Sequence, residues 1–225
     1  MVRLALVLIV LGGASIYFGV QEFMLAGIAK PEPQELTCKQ LHDAGYGDNA
    51  HVSIDEFCTT DAFVYTADSS NPSRFLSVFI PLMPTDSDYH LAYVNLEARF
   101  AAGEEITEAD VEAIEKLADF AIILKTTQLR SQSDVMGFPT PGERLQGLII
   151  NRIESLQEEE RKLLRSSYPQ ADFDKVLILE HGRKPAAGGM LAAYLGGGGL
   201  LVLVAIGLLL RGSSSSSSAP RQNEA

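Results

Sequence analysis

The sequence predicts an α+β fold: a mainly antiparallel β domain with two or three helices, flanked by two transmembrane helices. Three observations lead there. Apolar runs at residues 4–20 and 190–210 bracket the chain, each of about the length that crosses a hydrocarbon core of ~30 Å at ~1.5 Å per helical residue. Between them lie short segments rich in β-branched and aromatic residues, the mark of strands. Two capping-box patterns then announce helices in the later half of that middle stretch.

Residues 190–210 carry no charge, include a run of glycines from 196 to 199, and stop at Arg211. They read as a membrane helix. Residues 4–20 alone give only ~25 Å of helix, but apolar character resumes at 23–29 after Gln21 and Glu22, so the first helix is expected over 4–29 as a signal anchor. A cleaved signal peptide is the rival, because Arg3 supplies a positive start and Gly27, Ile28 and Ala29 offer small residues to a peptidase; the apolar stretch exceeds the ~7–15 residues usual for such a leader. Only charges near the helices bear on orientation. Arg3, Arg211 and Arg221 favour cytoplasmic termini, whereas Lys30, Arg183 and Lys184 favour the reverse. The short Arg-bearing N-terminus ahead of an apolar run selects termini in the cytoplasm and the domain outside, in a multi-pass protein of the cell membrane.

Small residues recur every four positions in both helices: Ser15 and Gly19 in the first, and Gly189, Ala193 and Gly197 in the second. Side chains of that size let helix backbones approach closely. They are the expected helix-packing positions, within one chain or between two copies.

The middle domain, expected over 30–187, is acidic. Residues 31–184 hold 27 Asp and Glu against 14 Lys and Arg, a net charge of −13. Nucleic-acid binding is excluded as a function class, since phosphate contacts need clustered cations. The bilayer, and an integral-membrane protein or a second copy of the chain, are the expected partners. The tail over 211–225, with serines at 213–218, is expected to be disordered.

Pro31 and Pro33 form a stiff spacer after the first helix. A short helix is expected over 36–44, stopped by Gly45 and Gly47. Segments 51–58, 62–67 and 75–82 read as an antiparallel meander, with turn residues at 68–73 and Pro81 and Pro84 closing the third strand. Residues 91–100 are expected as a fourth strand. Thr107 and Asp110 form a capping box, after which Val111, Ile114, Leu117 and Ala118 share one helical face. Residues 120–125 fit a strand or a buried helix end, 145–153 a strand, 155–158 a second capping box before a helix ended by Pro169, and 176–180 a last strand.

The two cysteines, Cys38 and Cys58, stand open to three readings. A disulfide would close a loop worth about 3 kcal/mol of chain entropy. A zinc site would add His42 and His51, although the spacing matches no known zinc pattern. Free thiols are the third. Asp86 with Asp88 and Asp172 with Asp174 offer oxygens of the kind calcium takes, without the glycine and glutamate of an EF-hand. The acidic run Glu158, Glu159 and Glu160 reads as a solvated helix start, where carboxylates meet the positive end of the dipole.

Contiguous hydrolase, metalloprotease and nucleotide-loop signatures are absent from the sequence. No catalytic residue, cofactor or metal ligand is therefore assigned. The layout of helix, domain and helix resembles that of certain cytochrome oxidase assembly factors and membrane-anchored ubiquitin ligases. That resemblance is one of layout, and no motif carries a family assignment. The expected function is a non-enzymatic interaction or assembly module anchored at both ends; the alternative is a membrane-anchored enzyme or metal sensor whose site only the fold assembles.

Overall fold

A computed structural model describes residues 2–60, 62–139, 142–150, 156–169 and 171–214. The serine-rich tail beyond 214 and the capping-box Ser155 lie outside the described residues. The chain forms two compact units, one made of the terminal segments 1–27 and 185–225 and the other of Ile28–Lys184.

In the first unit, α1 (Val2–Ile28) and α7 (Gly188–Ser214) pack together. Their stretches Arg3–Ile28 and Gly188–Arg211, of 26 and 24 residues, are long and apolar enough to cross a membrane. The pairing is antiparallel. A β-carbon on Gly12 would lie 2.8 Å from the Gly198 carbonyl oxygen, one on Gly198 would lie 2.9 Å from that of Gly12, and Ser15 Oγ donates to the Tyr194 carbonyl at 3.0 Å. Backbone meets backbone at this crossing, so only glycine fits.

The second unit is built on one mixed eight-stranded sheet. Its order is β1 (Gln34–Thr37), β2 (His51–Asp55), β7 (Leu145–Ile149), β8 (Leu177–His181), β6 (Ile122–Thr126), β5 (Asn71–Pro84) and β3 (Phe57–Thr59), with β4 (Val64–Asp68) also paired to β5. Strands β1 with β2 and β6 with β8 run parallel, and the other pairs antiparallel. In the parallel pair β6 and β8, Ile122, Ile123, Leu124, Ile178 and Leu179 are fully covered. Continuous apolar runs rather than strict alternation are what strands covered on both faces require.

Several expectations change. Segments 51–58, 62–67 and 75–82 do not form a meander: β2 pairs with β1 and β7, and β3 and β4 each pair antiparallel with β5. Strand β5 also begins at Asn71, inside the expected turn, and runs through Pro81. Residues 91–100 are helical, within α3 (Asp88–Ala101). Ser87 caps that helix by accepting the His90 N–H at 3.3 Å, and Tyr89, Ala92, Tyr93 and Leu96 recur at three- and four-residue spacing and pack on one cluster. The Thr107 capping box is present, opening α4 (Glu108–Glu115) with Asp110. Helix α2 (Cys38–Ala44) is shorter than the expected 36–44 because β1 occupies the preceding residues; Thr37 caps it. Helix α5 (Gln132–Met136) and helix α6 (Glu158–Ser167) bring the helices of this unit to five among the described residues, where two or three were expected.

The chain joins and leaves this domain at one end of the sheet. The Ala50 N–H donates to the Ile28 carbonyl at 2.7 Å. His51 Nδ1 lies 3.0 Å from the Lys30 carbonyl, His51 Nε2 lies 3.0 Å from Gln146 Nε2, and the Gly182 N–H donates to the Gln146 carbonyl at 2.8 Å. A carbonyl only accepts, so Nδ1 carries the proton and Nε2 accepts from the Gln146 amide. One buried imidazole thus ties the segment after α1 to the segment before α7.

Replacing His51 by Phe should leave the Lys30 carbonyl and the Gln146 amide unpaired and cost about 2–4 kcal/mol, read as a lowered urea midpoint with unchanged m. Gly147→Ala should cost about 2 kcal/mol or more, since its β-carbon would collide with the Glu180 backbone carbonyl on β8.

Candidate functional site

Helices α3, α4 and α6 and the starts of β6 and β8 enclose a cavity of about 840 Å³. Its walls are aromatic. Tyr89 and Tyr93, one helical turn apart on α3, stack with centroids 6.2 Å apart, and Phe120 meets Tyr168 edge-on at 5.1 Å. Ile114 of α4 adds an aliphatic wall. Arg99 holds the α3–α4 pair by bonding Glu104 at 2.9 Å and Asp110 at 3.0 Å. The Thr107 hydroxyl, followed by the Thr107 amide and Arg99, keeps the Asp110 carboxyl down at about 2.

Tyr168 ends α6, where Pro169 prevents further helix. Its hydroxyl donates to the Ala62 carbonyl at 3.3 Å, and burial raises its pKa well above the phenol range. The phenol is therefore a fixed wall and not a proton donor at neutral pH. The rim is polar: His42, Glu115, Asp119, Asp172 and Lys175 border the opening. Lys175 bonds Asp172 at 3.0 Å, which raises its pKa, with Asp119 adding to the effect. His42 Nδ1 faces Asp43 at 2.9 Å.

The cavity residues come from separate stretches of chain; of the candidate ligand residues, His42 and Asp172 line it. Tyr89 and Tyr93 were obscured by a strand reading of 91–100. Their four-residue spacing, ahead of which stands Ser87, is the signal that finds them.

The cysteines are both free thiols, Cys38 buried and Cys58 half-buried. Burial, then the neighbouring Cys58 and Asp86, pushes the Cys38 thiol up to about 12; burial also raises Cys58. Thiols held protonated are poor nucleophiles. The four zinc candidates are not gathered: His51 is committed to Lys30 and Gln146, His42 borders the cavity, and among the described residues no group of three or more His, Cys, Asp or Glu is placed to hold a metal. The calcium candidates serve local structure, Asp86 pairing with Lys39 at 2.7 Å and Asp172 with Lys175. Of the helix-packing candidates, Ser15 and Gly19 face α7, whereas Gly189 and Gly197 border open space and Ala193 is exposed; Gly12 and Gly198 make the closest approach.

One member of the acidic run is not solvated. Glu160 is 4% exposed and pairs with Lys125 of β6 at 2.9 Å, while also accepting the Gln157 N–H at 3.1 Å. The helix turn that points Glu158 and Glu159 outward turns Glu160 onto the sheet. Lys125 lies 5.7 Å from the Phe79 ring centroid as well.

No known protein family, curated protein or solved structure matches this chain.

Removing one partner of the Lys125–Glu160 pair should cost about 3–5 kcal/mol, and replacing both by apolar residues should recover most of it; chemical denaturation of Glu160→Leu, Lys125→Met and the double variant reads the difference. His181 supplies a pH dependence. Burial holds its pKa below the ordinary 6.5, with Glu143 opposing weakly. The unfolded chain takes up that proton first, so stability should fall as pH drops from 6.5 through the lower folded value. His181→Gln should flatten that part of a stability-versus-pH curve.

Proposed function

We propose that the chain is a two-pass membrane protein whose acidic domain, outside the cytoplasm, is an interaction module held at the bilayer by both ends. One observation carries the reading: the chain joins and leaves the domain at the same end of the sheet, through the His51 tie between Lys30 and Gly182. A domain so built can hang from two helices in one membrane without spanning it. Two further features support the same reading. The helices are apolar all round, with Leu6, Val10, Phe18, Leu203 and Leu210 all more than half exposed, as lipid-facing helices are. Their mutual packing on Gly12, Ser15 and Gly198 is of the small-residue kind.

An integral-membrane protein, or a second copy of the chain, is the partner this geometry favours. The stripe of Gly189 and Gly197 is unoccupied by α1. Sidedness is tested at Met136, which is 80% exposed. A Met136→Cys variant should react with a membrane-impermeant maleimide in intact cells, above the low background of the shielded native thiols. Reaction only after permeabilisation would place the domain in the cytoplasm.

A further inference from the structure

We infer that the aromatic cavity is a binding site for an organic cation, an amine or quaternary ammonium carried on an apolar body. The inference is independent of the membrane reading. At about 840 Å³ the cavity falls within the ~300–1,000 Å³ range of small-molecule sites. Its chemistry then selects the ligand. Tyr89, Tyr93, Phe120 and Tyr168 all line it, and an aromatic ring attracts a positive charge lying over its face.

The rim has the matching sign. Glu115, Asp119 and Asp172 border the opening against one lysine, and that lysine is already bonded to Asp172 at 3.0 Å. An anionic ligand would meet the carboxylates of Glu115 and Asp119 with no uncommitted ammonium among the described lining residues to receive it. A neutral apolar ligand would satisfy the rings and leave the rim unused. The cation alone uses both, and the domain's net charge of −13 across residues 31–184 raises its local concentration further.

Position supports the assignment too. The cavity is lined by Phe120 and Ala121, just ahead of β6, and by Val176, just ahead of β8. Those two strands run parallel, so the cavity lies at their N-terminal end and the His51 tie, next to His181, at their C-terminal end. The ligand site is at the end of the domain away from the points where the chain runs on to the helices.

The test is isothermal titration calorimetry of the full chain in nanodiscs of zwitterionic lipid, with empty nanodiscs subtracted. The probes are benzyltrimethylammonium, the uncharged N-benzylacetamide and the anionic phenylacetate. The cation should bind at least ten-fold more tightly than either of the others. The rim variant Glu115→Gln with Asp119→Asn, which changes only exposed side chains, should weaken it several-fold, and Tyr93→Leu should weaken it ten-fold or more. Circular dichroism melting separates lost binding from lost folding in Tyr93→Leu, and the rim variant stands if that one fails to fold. Absence of cation binding overturns the inference, as does equal binding of N-benzylacetamide or undiminished binding by the rim variant.

Discussion

The rest of the domain depends on a hydrogen-bonded tie at one buried imidazole. His51 is 1% exposed, and each ring nitrogen meets a group that comes from a different part of the chain, Lys30 on one side and Gln146 on the other. Burying an imidazole is tolerable only when both nitrogens are paired, so this residue dictates the positions of both neighbours. Through the Gly182 N–H on the Gln146 carbonyl, the constraint passes across three adjacent strands. Asn49 extends it, accepting from the Lys30 N–H at 2.8 Å and donating to the Glu32 carbonyl at 3.0 Å. The proline-rich spacer ahead of β1 is thereby held by side chains as well as by the backbone bonds on either side of it.

Packing explains why a cavity forms where it does. The main core fills the space over β2, β5, β6, β7 and β8, whereas Met83, Tyr89 and Ile114 form a separate small cluster under α3 and α4. Helices α3 and α4 are joined to each other by Arg99, and Leu91, Val94 and Val111 on this pair remain more than 40% exposed. Large rings standing off the sheet leave volume between them that smaller side chains would have closed. Such a gap costs contact energy in a well-packed protein, and a site that a ligand fills offsets that cost when the ligand binds.

Much of the fold was legible because local rules and tertiary context agreed. The apolar terminal helices, the Thr107 cap and the buried runs at 122–125, 145–149 and 177–180 all follow from periodicity and turn chemistry. Residues 91–100 misled because the segment is partly apolar without a full alternation, and the decisive features, Ser87 and Tyr89, stand just before it. The sheet order was not legible: β2 lies beside β7 and not β3, and of the residues that meet there, His51 and Gln146 stand 95 apart. Glu160 looked solvated because its partner Lys125 is 35 residues away. The cavity escaped for the same reason, since its rings belong to separate elements and each alone resembles an ordinary core aromatic.

The two ends of the β6 and β8 strands therefore carry different burdens. At their C-terminal end Thr126 Oγ1 lies 3.5 Å from His181 Nδ1, beside the Gln146 contact that closes the tie, and the groups there are paired with one another. At their N-terminal end lie Phe120, edge-on against Tyr168, and the cavity it lines. Strands of five residues separate those ends by ~17 Å at ~3.3 Å per residue, too far for direct contact between them. Ile122, Ile123 and Leu124 of β6 and Ile178 and Leu179 of β8 are fully covered, and a close-packed interior transmits strain, so a ligand that shifted Phe120 against Tyr168 would bear on the strand pair whose other end carries His181.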